Sequence, residues 1–201
     1  MDNKDIIELL SSISFDEQVN LNDIPNIDLY MDQVTTFMDS HFKKYKRNEK
    51  DTIVTKTMIN NYTKNKIIPP PLKKKYTKNH ILLLLLTFHL KHALSINDIK
   101  ILLNNITKPY DEIKSENSKD ILSHELESIY KAYIDLEKLV FKDLSENITK
   151  TVNNINNNLS DNDFNDNEKS KLLILILLLI TQANTQKFLA EKLIDDYFLE
   201  K

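Results

Sequence analysis

The chain has 201 residues, 41% of them hydrophobic, and 27 Lys and Arg against 30 Asp and Glu for a net charge of −3, so it can bury a core and is close to neutral overall. It contains no Gly, which excludes the Gly-dependent phosphate loops of P-loop and dinucleotide-binding proteins and leaves left-handed turn positions to other residue types. It contains no Cys, which excludes disulfides, thiolate metal sites and thiol nucleophiles and agrees with a reducing compartment. The first five residues are acidic on balance and no long apolar run follows them, so no secretory leader is expected and the expected location is cytoplasmic.

In chain order, Ile6, Ile7, Leu9, Leu10 and Ile13 predict a short amphipathic helix over 5–12 that serves packing, then an acidic connection ending near Pro25. From 27 to 45, Leu29, Tyr30, Val34, Phe37, Met38, Phe42 and Tyr45 recur at spacings of three and four and predict a helix with one buried stripe. After a charged connection, Thr55 is placed to cap a short helix over 56–64, which Pro69-Pro70-Pro71 stops from continuing. Thr77 then caps an apolar helix over 78–94 containing Leu82 through Leu86, the expected core helix. Ser95 and Asp98 have capping-box spacing and start an amphipathic helix over 96–106, and a loop around Pro109 closes the unit.

From Asp120, Leu122, Leu126, Ile129, Tyr133, Leu136 and Val140 alternate spacings of four and three, the seam of a helix that pairs along its length; the seam relaxes at Leu144, Ile148, Val152 and Ile155. A polar stretch over 156–167 precedes a last helix over 168–199. Its apolar run, 172–180, has nine residues where a bilayer span needs ~20, and so reads as a buried helix face with no membrane role. Two long helices of this kind form a hairpin that packs on the N-terminal part or pairs with a second chain. The expected architecture is all-α: an N-terminal helix and linker (1–26), a helix-turn-helix domain (27–110), and a C-terminal helical region (111–201). That last region serves homodimerisation, with a small-molecule effector pocket between its helices as the alternative use.

The charges are segregated. Between His41 and His80 there are twelve Lys and Arg and two acidic residues, a local balance of +10, while the remainder holds 15 basic and 28 acidic residues, or −13. A basic segment inside an acidic chain is the electrostatic pattern of a nucleic-acid contact. His89 and His92 lie three apart but lack a third ligand, so no metal site is expected and His89 is read as a core residue. The acidic pairs Asp111/Glu112 and Asp195/Asp196 are sequence neighbours, which a helix splays apart, so they read as solubilising charge. No cofactor and no enzymatic activity are expected.

The run Val54-Thr55-Lys56-Thr57-Met58-Ile59-Asn60-Asn61-Tyr62, followed by Thr63-Lys64-Asn65-Lys66-Ile67-Ile68-Pro69, resembles the recognition helix and following turn of the mercury-resistance-regulator (MerR) class of winged helix-turn-helix proteins. Lys74-Lys75-Tyr76-Thr77 before the apolar helix, and Leu94-Ser95-Ile96-Asn97-Asp98-Ile99 after it, correspond to the wing and the next helix of that class. The chain is similar, more closely still, to bacterial proteins grouped as domain of unknown function 1836. That likeness rests on Asp28-Leu29-Tyr30-Met31-Asp32-Gln33 and on Thr55-Lys56-Thr57-Met58-Ile59-Asn60-Asn61-Tyr62. It departs from the MerR pattern at Lys66, which stands at the usual Gly, and at Asn60 and Asn61, which stand for the usual arginine and first tyrosine. The wing is shortened to 69–75, and a basic insertion spans 43–50.

The resemblance implies double-stranded DNA as partner and a transcription regulator as the function. A helix in the major groove presents its N-terminal side chains to base edges, and Asn can bond adenine in a bidentate way. Thr55, Lys56, Thr57, Asn60 and Asn61 are therefore the readout candidates, with Met58, Ile59 and Tyr62 facing inward. Lys64, Lys66, Lys73, Lys74 and Lys75 would neutralise phosphates or remain solvated surface, and Tyr76 would pack in the core or bond a phosphate. The rival reading is a helical protein-interaction module that keeps the helix-turn-helix shape.

Overall fold

The computed structural model describes residues 3–12, 18–112, 116–158 and 168–199. Its elements are α1 (Asn3–Ser12), a 3-10 turn (Leu21–Asp23), β1 (Leu29–Tyr30), α2 (Met31–His41), a second 3-10 turn (Lys43–Tyr45), α3 (Lys56–Lys64), β2 (Lys75–Tyr76), α4 (Lys78–Leu90), α5 (Ile96–Glu112), α6 (Glu116–Asn158) and α7 (Glu168–Tyr197). The chain is mostly helical. It divides into one unit of residues 18–134 with 191–201 and another of residues 1–17 with 135–190.

Within the first unit α4 is the hub. Ile81 through Leu85 and Phe88 are all buried, and the one polar group among them, the Thr87 hydroxyl, is satisfied by donating to the Leu83 carbonyl at 2.7 Å. Around it lie Val34, Phe37 and Met38 of α2, Ile59 and Tyr62 of α3, Leu29 and Tyr76 of the strand pair, Ile99 and Leu103 of α5, and Leu126, Tyr130 and Ile134 of α6. The Tyr130 hydroxyl donates to the Val19 carbonyl at 2.7 Å, tying the start of the unit to α6 across 111 residues of sequence.

Several boundaries differ from those expected. The stripe over 27–45 is not one helix: Leu29 and Tyr30 are extended because they pair antiparallel with Tyr76 and Lys75. Helix begins only at Met31, where the Gln33 Oε1 accepts the Tyr30 N–H at 2.8 Å. α4 stops at Leu90, four residues early, as Lys91 turns its ammonium to the Ile53 carbonyl at 2.7 Å and over the Phe88 ring at 4.8 Å. α5 starts at the Ser95–Asp98 box, in which Ser95 N–H and Oγ–H donate to Asp98 Oδ2 at 3.2 and 2.7 Å. It then runs past Pro109 to Glu112, where a loop was expected, the proline ring costing one main-chain donor without ending the helix. In the part of α6 that belongs to this unit the buried positions are Leu126, Tyr130 and Ile134, spaced by four, and beyond it Leu136 and Val140 of the expected seam are exposed. This stretch of the helix lays one face on a globular core.

The second unit holds a smaller cluster: Ile148, Val152 and Ile155 of α6 with Leu175 of α7, joined by the partly buried Ile6, Leu10, Leu144, Ile174 and Leu179. The expectation that 172–180 is a buried face is corrected. Leu175 is buried, but Leu173, Ile176, Leu177, Leu178 and Ile180 stand exposed, because packing on one side covers only part of a helix that is apolar all round. By length and composition α7 could cross a membrane.

Two consequences are measurable. Tyr130→Phe keeps the ring and strands the buried Val19 carbonyl, so it is expected to lower unfolding free energy by about 1–3 kcal/mol in chemical denaturation. His89 lies among the rings of Phe42, Phe88 and Tyr133 with no partner for its Nε2 among the described residues. Burial, with the nearby His92, lowers its pKa from 6.5 to about 4. The unfolded chain then binds this proton more readily than the folded one, so stability is expected to fall as pH drops from about 6.5 towards 4. His89→Phe should flatten that part of the denaturation-versus-pH curve.

Candidate nucleic-acid interface

α3 is amphipathic by spacing: Ile59 and Tyr62 turn into the core, and Lys56, Thr57, Asn60, Asn61 and Lys64 are exposed. Thr55 is the N-cap, its hydroxyl accepting the Met58 N–H at 3.1 Å, so this side chain starts the helix and is committed to the backbone. Asn61 is engaged as well, its Oδ1 and carbonyl accepting from Asn65 Nδ2 at 2.9 and 2.8 Å. Lys56 is ion-paired with Asp32 at the start of α2, both side chains largely exposed. The outer face therefore offers Thr57, Asn60 and Lys64 directly, with Lys56 and Asn61 held by neighbours.

The helix ends in a way that glycine ordinarily supplies. Lys66 has φ 59°, Ile67 N–H donates to the Tyr62 carbonyl at 2.9 Å and Lys66 N–H to the Thr63 carbonyl at 3.0 Å, the paired bonds of a Schellman cap with buried Ile67 beside Tyr62. The prolines then lead into a true hairpin. Leu72 and Lys75 exchange both main-chain hydrogen bonds, at 3.0 and 2.9 Å, around a two-residue loop in which Lys73 has φ 49° and Lys74 φ 65°. Two successive left-handed residues make a type I′ turn, whose twist matches the strands and which normally selects Asn-Gly. Here two exposed lysines occupy it. Lys75 lies with its ammonium 5.3 Å from the Tyr30 ring centre.

Tyr76 is only 2% exposed, paired with Leu29 and edge-on to the His80 ring; burial raises its hydroxyl pKa. It is a core residue, and the phosphate role considered for it is set aside. His80 Nδ1 accepts the Thr77 N–H at 3.1 Å while Nε2 faces the Pro70 carbonyl at 3.4 Å, so one ring both caps α4 and braces the base of the hairpin. α2 packs against both α3 and β2 and so spaces the helix from the hairpin. In the connection between α2 and α3, Lys46 pairs with Asp39 at 2.7 Å and Asp51 accepts the Asn48 N–H at 2.8 Å. Among the described residues no group of three His, Asp or Glu side chains is placed to hold a metal ion.

Sequence reasoning missed the Asp32–Lys56 pair, the Lys91–Ile53 bond and the role of His80. Only the last left a local trace, a hydroxyl followed three residues on by an imidazole that takes the place of the usual Glu or Gln.

These features define a class: a helical domain that carries a lysine-tipped hairpin and a short helix with a polar outer face. The chain belongs to the family described as domain of unknown function (DUF1836), whose model matches residues 19–133, nearly the whole of the unit built around α4. No curated protein and no solved structure matches it.

The hairpin loop gives a direct test of its geometry. Lys73→Asn combined with Lys74→Gly supplies the residues a type I′ turn favours and is expected to raise stability by about 1 kcal/mol, read from the denaturation midpoint at unchanged m-value.

Proposed function

We propose that this chain is a DNA-binding transcription regulator whose residues 29–103 form a MerR-like winged helix-turn-helix. In this reading α2 is the first helix, α3 the reading helix in the major groove, and the Leu72–Lys75 hairpin a minimal wing against the phosphate backbone. The observation that carries it is the hairpin tip. Two non-Gly residues in a left-handed backbone cost of order 1–2 kcal/mol each, nothing buried is gained there, and both side chains are exposed cations. A conformation kept at such a cost on an exposed tip is accounted for by what the tip touches, and lysines suit phosphate. The +10 balance between His41 and His80 supports the same reading.

The roles then divide. Asn60 and Thr57 are free to meet base edges, with Asn60 the candidate for bidentate contact to adenine; Lys64, Lys73 and Lys74 meet phosphates and set register without reading sequence. Lys56 reaches phosphate by exchanging its Asp32 partner. Departures from the MerR pattern at Asn60 and Asn61 give this chain a base preference of its own.

The test is binding to fragments selected from the source genome, followed across salt concentrations. Lys73→Ala with Lys74→Ala leaves the backbone cost of the turn in place, so it isolates charge: affinity should fall for all sequences and the slope of log K against log salt should shrink by about 2. Asn60→Ala should cost about 1–3 kcal/mol on the preferred site and leave non-specific binding intact. If no fragment binds even at low salt, the DNA reading is wrong and the chain is better regarded as a protein-interaction module.

A further inference from the structure

Six large apolar side chains of α7, Leu173, Ile176, Leu177, Ile180, Phe188 and Leu189, each remain 55–61% exposed. All but Leu189 fall within one side of the helix at 100° per residue, a side that is apolar from Leu173 to Ile180 and again at Phe188, with Asn184, Lys187 and Glu191 also on it towards the C-terminal end; soluble monomers rarely leave such an apolar stripe open. Two candidates could cover it, a lipid bilayer and another protein surface. The bilayer fits poorly, since the stripe is interrupted by Thr181-Gln182-Ala183-Asn184-Thr185-Gln186, which would set three amide side chains at hydrocarbon depth.

The charges at the ends of the same side point to a specific occupant. Lys169 lies on it in the first turn and Asp195 lies on it near the last, both exposed. Each sits where the helix dipole disfavours it, a cation at the positive end and an anion at the negative end. A second α7 running the other way would bring opposite charges together at both ends and set the two dipoles against each other. Six half-exposed side chains from each copy put on the order of 1,000 Å² within reach of burial, enough for a specific interface.

We infer that the exposed stripe of α7 is covered by a second copy of this chain, with the two α7 helices antiparallel and Lys169 of each copy facing Asp195 of the other. The inference stands independently of any contact with DNA.

Sedimentation velocity of the full chain at micromolar concentration is expected to show a dimer. Lys169→Glu alone, or Asp195→Lys alone, creates like-charge contacts at both ends and should weaken it about tenfold at low salt. The two single variants mixed in equal amounts should re-form a dimer of wild-type strength, since each then meets its opposite at both ends. In a parallel pair like residues face each other, so neither single variant would weaken the dimer and the mixture would bind more tightly than wild type, which would overturn the antiparallel assignment. Ile176→Gln with Ile180→Gln, both exposed positions, should give a monomer with unchanged far-UV circular dichroism. A wild-type monomer, a mixture that fails to recover, or co-sedimentation of the wild-type chain with phosphatidylcholine vesicles in place of dimerisation would overturn the proposal.

Discussion

A helix with no polar side has to be enclosed, and α4 is such a helix. From Ile81 to Leu85 no position faces water, so at any register the run can be accommodated only if other elements surround it. α2, α3, α5, the strand pair and residues 126–134 of α6 do so, each with one apolar face and each obliged by that packing to turn its polar face outward. The exposure of Thr57, Asn60 and Lys64 follows from the burial of Ile59 and Tyr62 against this core. The family match covers nearly the same residues as the unit enclosing α4, and the Tyr130–Val19 hydrogen bond joins its two ends.

The lack of glycine bears on the same architecture. A mostly helical chain needs few left-handed residues, and the positions with positive φ given by the structure, Lys66, Lys73 and Lys74, all fall between α3 and α4. At Lys66 the strain is compensated locally by two main-chain hydrogen bonds and the burial of Ile67. At Lys73 and Lys74 the compensation is only the closure of the hairpin.

What could be read from the sequence was what depends on near neighbours. α3 has the limits its cap and prolines imply, α4 starts after Thr77, and the Ser95–Asp98 box forms as its spacing suggests. What could not be read depends on distant residues. Leu29 and Tyr30 are extended because their partners lie about 45 positions away, and α4 ends early because a lysine finds a carbonyl 38 residues back. The seam of α6 was legible only as a periodicity: the same spacing of three and four serves a face on a globular core, as at Leu126, as well as a coiled pair, and sequence does not distinguish them. For the candidate interface, residue types pointed to the segment 55–76, while burial withdrew Tyr76 and capping withdrew Thr55, neither of which charge or composition encodes.

The two-residue loop at Lys73 and Lys74 also determines how much freedom is left to lose. A longer or glycine-containing loop would present its cations from a moving backbone, and an anion would have to immobilise main chain as well as side chains. Here both Cα–Cβ directions are set by the fold, so an anion that met these lysines would restrict only side-chain rotamers, at about 0.5–1.5 kcal/mol each. The backbone entropy of presenting these charges has already been spent in folding, and a tight hairpin with an unfavourable backbone is the form that expense takes.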